Sequence, residues 1–240
     1  MWLAIDSAWG IGSVAVGRPG EALALDIMPR PREHAAALVP MIQAVLRQAG
    51  GRLADLAGIV IGDGPGSFTG LRIGASVAKA LVESRGIELW VAPSLMAMAW
   101  TARTGRGHGT LAFADALRGE VFAGVYRFEA DRVITLYPAA ARQPGVITDT
   151  FPVPDVMVGD APPSIVHAFE AWAGNRVLPV PEEGAAALLD LMVPSGGARR
   201  IPYSEVWAWE PDYGRPAEAQ VKWEQAHGRR LADSPRTDRR

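Results

Sequence analysis

Apolar residues along the start of the chain alternate with small and polar ones, and further on they switch to a helical period. Trp2 to Ile5, Ser13 to Val16 and Leu23 to Ile27 read as three strands, with turns marked by Gly10, Gly12, Gly17, Pro19 and Gly20. From Glu33 to Ala49, the residues Leu38, Ile42, Val45, Leu46 and Ala49 fall at helical spacing, and Gly50-Gly51 ends the run. Ile59-Val60-Ile61 reads as a buried strand, Ile73 to Glu83 as a helix and Glu88 to Val91 as another strand. Ser94 is placed to cap a third helix through Ala102. The order βββαβαβα predicts an α/β fold, a mixed sheet with helices on both faces.

The second half is less regular. Gly105 to Gly109 reads as a hinge or loop; Leu111 to Ala114, Val121 to Phe128 and Val133 to Tyr137 read as strands. A stretch holding Pro138, Pro144, Pro152 and Pro154 follows, then a strand end at Val156 to Asp160. A helix from Pro163 to Ala173 starts near the Pro162-Pro163 pair, and Ala185 to Met192 is a short helix. Beyond Gly228, arginines among polar residues without an apolar period predict a disordered tail. The expected organisation is an N-terminal lobe over 1–104, a smaller C-terminal lobe over 105–227 and the tail over 228–240.

One segment stands outside this pattern of periods: Gly62-Asp63-Gly64-Pro65-Gly66-Ser67-Phe68-Thr69-Gly70-Leu71-Arg72-Ile73-Gly74. A strand, a glycine-rich bend and a helix in that order commonly offer backbone N–H groups to an anion. Yet the third glycine of G-x-G-x-x-G is replaced by Thr69 or Ser67, and no Gly-Lys-Ser/Thr follows. Ser67 is not in a G-x-S-x-G elbow either. The glycines therefore call for another explanation. Gly70, Gly74 and Ala78 recur at a spacing of four on one helical face. A helical glycine costs roughly 1 kcal/mol relative to alanine, so a backbone or helix must come close. Packing on the chain's own sheet and a partner surface both fit.

Composition narrows the classes. A net charge of -2 calls for no nucleic acid or membrane surface, and the absence of cysteine excludes disulfides and thiolate chemistry. Met1 to Asp6 lacks a basic region and reaches a carboxylate too early for a signal peptide, so a cytoplasmic location is expected.

Asp6 at the end of the first strand, His34 at the first helix and the glycine segment together resemble the TsaB family, also called YeaZ. Asp115-Ala116-Leu117-Arg118-Gly119-Glu120-Val121-Phe122 is similar to that family's Asp-Ala-Arg-Arg-Gly-Glu-Val-Tyr segment, and Pro211 to Pro216 to its Pro-x-Tyr-Leu-Arg ending. The match covers nearly all of residues 1–225. Asp63 stands where arginine is common, Ala35 where serine is usual, and Gly214 replaces leucine.

The resemblance implies the actin/Hsp70/sugar-kinase-like (ribonuclease H-like) two-lobed fold, with mixed sheets and a reduced second lobe. It implies a non-catalytic scaffold subunit in the transfer of threonylcarbamoyl, from threonylcarbamoyl-AMP to N6 of adenosine 37 in tRNAs reading codons that start with A. The implied partners are a TsaD-like transferase subunit and a TsaE-like ATPase, with tRNA met only through the complex, no cofactor and a homodimer when the partner is absent. A TsaD-like metal site needs His-x-x-x-His on the first helix. Here Leu38 stands four residues after His34, and His108, His167 and His227 lie in unrelated segments, so no metal is expected.

Asp6 reads either as a remnant of a phosphate hairpin or as a hairpin cap. Asp115 and Glu120 flank a turn and receive no acid or base role. The expected partner surface is Leu38, Met41, Val45, Gly70, Ile73, Gly74 and Val77 on two outward-facing helices, with Gly64, Gly66 and Gly70 as a structural loop. The competing class is an ATP-hydrolysing or phosphoryl-transfer enzyme of the same superfamily. A metallopeptidase finds no H-E-x-x-H.

Overall fold

Each half of the chain first folds an antiparallel meander and then extends it with parallel strands through helical crossovers. The computed structural model describes residues 1–28, 34–103 and 109–215. In the first half, β1 (Trp2–Asp6), β2 (Ser13–Arg18) and β3 (Glu21–Ile27) form the meander; α1 (His34–Gln48), β4 (Gly58–Gly62), α2 (Phe68–Arg85), β5 (Glu88–Ala92) and α3 (Ser94–Thr101) follow. The second half repeats the plan with β6 (Thr110–Asp115), β7 (Val121–Phe128), β8 (Val133–Arg142), α4 (Pro144–Thr150), β9 (Val156–Asp160), α5 (Pro163–Ala173) and β10 (Val177–Leu178). Then come α6 (Gly184–Asp190) and β11 (Arg199–Ile201).

The sheet orders are β11-β5-β4-β1-β2-β3 and β10-β9-β6-β7-β8. In each, the first strand is antiparallel to the second and parallel to the fourth. This duplicated order is that of the actin-like, ribonuclease H-like fold.

Strict alternation assigns each strand's side chains to two different cores. Leu3, Ile5, Ile59 and Ile61 join the outer cluster under α1 and α2. Ala4, Ala15, Val60 and Ala92 face inward with α3, α6 and the second sheet's Ala112, Ala114, Phe122 and Tyr126. Leu111, Phe113, Val121 and Val125 point the other way, toward α4 and α5. Small residues dominate the inward face of both sheets, which lets α3 and α6 pack between them.

Three local readings change. α2 begins at Phe68 rather than Ile73, because the Ser67 side chain accepts from Gly70 N and caps it; Gly86, φ 63°, ends it. The proline-rich stretch is ordered, with β8 running to Arg142 and α4 opening on Pro144. Residues 184–201, read with the second lobe, belong to the first: α6 packs on its sheet, where Ala185 N donates to Ser13 Oγ at 3.0 Å, and β11 pairs antiparallel with β5. The tail over 228–240 lies outside the described residues.

Candidate functional site

The glycine segment links β4 to α2, and several of its backbone N–H groups already have partners within the chain. Asp63 N donates to the Ala92 carbonyl at 2.9 Å, and Ser67 N to the Ala8 carbonyl at 2.7 Å. Gly64 N donates to Ser94 Oγ at 3.0 Å, while Ser94 N returns a bond to the Gly64 carbonyl at 2.8 Å. Ser94, expected to cap its own helix, instead holds the loop.

Each glycine faces backbone or side chain of this same chain. A Cβ on Gly64 would collide with the Asp212 carbonyl oxygen, one on Gly66 with that of Ala8, and one on Gly70 with that of Ser7. At Gly74 the obstacle is Ser7 Oγ, which itself donates to the Gly70 carbonyl at 2.9 Å. Of the two readings of the glycine stripe, close packing on the chain's own sheet is the one this geometry favours. The Asp63 carboxylate, 3% exposed, sits beside the loop with Arg199 Nη2 at 3.3 Å. Carbonyl oxygens packed against the loop's glycines, with the Asp63 carboxylate beside them, disfavour an anion here.

Asp6 closes β1 at 5% exposure and accepts from Ala8 N at 3.2 Å, the cap of a hairpin. Burial pushes its carboxyl up to about 6, partly offset by the Ala8 hydrogen bond. Gly184, the first residue of α6, lies so close that a Cβ there would collide with Asp6 Oδ2. Trp9 is half-buried against the inner cluster. Asp115 accepts from Leu117 N at 2.8 Å within its turn, and Glu120 pairs with Arg215. The two carboxylates thus have separate structural tasks.

The expected partner surface is corrected by burial. Leu38, Met41 and Val45 are 2%, 5% and 0% exposed and belong to the outer core, facing the chain's own sheet. Gly70 and Gly74 are buried as well, and only Ile73 and Val77 stay half-exposed. The amphipathic stripe of α1 reports a buried face, and the sheet beneath it supplies the burial. Each such aliphatic side chain stabilises the fold by roughly 2 kcal/mol, so it is unavailable to a partner. The outer surface of the helix pair includes Ala36, Val39, Pro40 and Gln43 on α1 with Thr69, Arg72, Ser76 and Ala80 on α2, all exposed.

His34 opens α1, its side chain lying outside the described residues as do His108 and His227; His167 is exposed on α5. Leu38, four residues after His34, is in the core. Among the described residues no group of three or more histidines, cysteines or carboxylates is arranged to hold a metal. Arg199, Ser94 and Asp212 carried no local sequence signal for their part in the loop.

A family model described as "TsaD: tRNA N6-adenosine threonylcarbamoyltransferase" matches residues 27–149. The chain belongs to the TsaD family. It is 38% identical over 126 residues to the tRNA threonylcarbamoyladenosine biosynthesis protein TsaB of Escherichia coli (strain K12), covering 52% of this chain and 54% of that one. The Bacillus subtilis (strain 168) TsaB is 33% identical over 127 residues, with 53% and 55% covered. The chain therefore spans about half the length of these curated TsaB relatives. A Mycobacterium tuberculosis protein, Rv3421c, is 34% identical, with 67% of this chain and 72% of the relative covered. Among solved structures, YeaZ from Pseudomonas aeruginosa superposes with a TM-score of 0.64 at 25% identity, covering 90% of this chain and 98% of that one. The TsaD-family match contains the glycine loop, both outer helices and the β6–β7 hairpin.

Proposed function

We propose that the chain is a scaffold subunit, without chemistry of its own, of the complex that transfers threonylcarbamoyl from threonylcarbamoyl-AMP to N6 of adenosine 37 in tRNAs reading codons that start with A. Its task is to bind and support a TsaD-like transferase subunit, joined by a TsaE-like ATPase, with tRNA reached only through that assembly in the cytoplasm. Similarity to proteins named for threonylcarbamoyladenosine biosynthesis supports the pathway. The observation that carries the non-catalytic role is the glycine loop, whose space is filled by carbonyl oxygens of Ser7, Ala8 and Asp212. No helix among the described residues is long and apolar enough to cross a membrane.

The purified chain is accordingly expected to turn over no ATP and to carry no stoichiometric metal. ATP turnover that Asp6→Ala abolishes, or metal found by elemental analysis, would establish the enzyme reading instead.

The partner surface of this reading is the outer face of α1 and α2, where Ile73 and Val77 from the expected set border the small residues Thr69, Ser76 and Ala80. Small side chains let a second helix pair approach to form a four-helix bundle. A standard interface buries about 1,600 Å² in total, within reach of two such pairs. The same face pairs with itself when the transferase subunit is absent, because a two-fold contact needs only a self-complementary surface. Ser76→Arg with Ala80→Arg is expected to abolish both self-association and co-purification of the TsaD-like subunit. Stability should stay within about 0.5 kcal/mol, as for other exposed positions. Sedimentation showing an unchanged dimer, with the transferase subunit still bound, would move the interface elsewhere.

A further inference from the structure

The last described segment runs along α2 and then crosses to the second lobe. Tyr203 Oη and Trp207 Nε1 both donate to Glu83 Oε2 at 3.1 Å. Lys79 Nζ donates to the Trp207 carbonyl at 3.3 Å and to Glu210 Oε1 at 3.2 Å, and lies 5.7 Å from the centre of the Trp209 ring. Tyr213 packs on Phe68 at the start of α2, with ring centroids 4.7 Å apart.

Within four residues the chain then touches both lobes. Asp212 N donates to the Asp63 carbonyl at 2.7 Å, and its own carbonyl lies on Gly64. Gly214, at φ +67°, sits between Pro65 of the glycine loop and Phe122 of β7, with no room for a side chain. Arg215 pairs with Glu120 and donates to the Leu117 carbonyl at 3.3 Å. Elsewhere the inner apolar cluster around α3 and α6 joins the two lobes.

We propose that residues 209–215 are a strap that holds the glycine loop of the first lobe against the β6–β7 hairpin of the second. The hairpin tip needs such support. Leu117 and Arg118 have φ of 62° and 57°, a left-handed conformation that costs roughly 1–2 kcal/mol for each non-glycine residue. Such conformations persist where the surroundings over-determine them. Trp209 in the outer core and Tyr213 on Phe68 anchor the strap to the first lobe, whereas its reach to the second rests on Gly214 against Phe122 and on an Arg215–Glu120 pair with side chains 25% and 32% exposed. That reach buries far less apolar surface than the α3–α6 cluster, so the loop–hairpin contact opens at lower cost than the rest of the lobe interface. This device is independent of the pathway proposed above, because it rests only on contacts within the chain.

Hydrogen exchange of the full chain, read by mass spectrometry, tests it. Arg215→Glu puts two negative charges together at the strap's end and should raise exchange about tenfold, both in residues 116–122 and in 63–67, as expected of local rather than global opening. The strands β1 and β4 should keep their protection, and the exchanged pair Arg215→Glu with Glu120→Arg should restore the original rates. Unchanged rates in Arg215→Glu would overturn the strap, as would a rise in the hairpin alone or a uniform rise across the chain.

Discussion

Gly74→Arg is expected to unfold this protein rather than merely detach a partner. The sequence alone points to an intact fold with a broken interface, but Gly74 faces inward, onto Ser7 Oγ. Overpacking a tight site costs about 3 kcal/mol or more when nothing can yield, a large part of the stability of a typical domain. A finer comparison isolates the cause. Gly74→Ala should destabilise the natural chain, yet in a Ser7→Ala background the nearest remaining atom is the residue 7 Cβ at 3.6 Å, an ordinary contact. There, alanine's better helix propensity should contribute up to about 1 kcal/mol in its favour, turning a loss into a gain. Gly70→Ala has no such rescue, because its obstacle is the backbone carbonyl of Ser7. Denaturant midpoints of the single and double variants give the coupling directly. Additive effects at 7 and 74 would mean that the stripe faces something else.

Asp6→Asn is expected to stabilise the chain above neutral pH and to flatten its pH dependence in the acid range. Its folded carboxyl titrates at about 6 against 3.8 for the free group. Between those values the folded state holds the proton and the unfolded state does not. The group's contribution is therefore complete below about pH 4 and lost as pH rises through 6. Two pH units correspond to roughly 3 kcal/mol, reduced in practice by local relaxation. Asparagine keeps an oxygen to accept from Ala8 N and carries no charge to bury. A gain of about 1–2 kcal/mol at pH 7.5, vanishing near pH 4, is the expected result. Parallel stability curves for the natural chain and the Asp6→Asn variant, measured from about pH 4 to 7, would place the charge cost elsewhere.

Much of the first lobe was readable because its signals are local. Glycine turns bound β1 to β3, the apolar run Ile59-Val60-Ile61 marks β4, and Leu38 to Leu46 repeat at helical spacing. The first turn of α2 is hidden in the sequence because Gly70 and Gly74 interrupt its apolar period. β10 and β11, of two and three residues, are too short for any period to show. An interface is harder to read from sequence for a physical reason as well. An apolar stripe such as Leu38, Met41 and Val45 says that a face is buried, but not whether sheet or partner covers it.

The sequence by itself determined the element order from β1 to α3, the family, and the requirement for close approach at Gly64, Gly66, Gly70 and Gly74. Only the tertiary structure decided what approaches: the carbonyls of Ser7, Ala8 and Asp212 and the Ser7 hydroxyl, with Arg199 beside Asp63. It also decided that α6 and β11 return to the first sheet and that the segment around Asp212 bridges the lobes. The reason is the range of the forces involved. A missing Cβ is written into one residue, whereas the atom that takes its place comes from a distant part of the chain, brought there by burial of a core that no single segment contains.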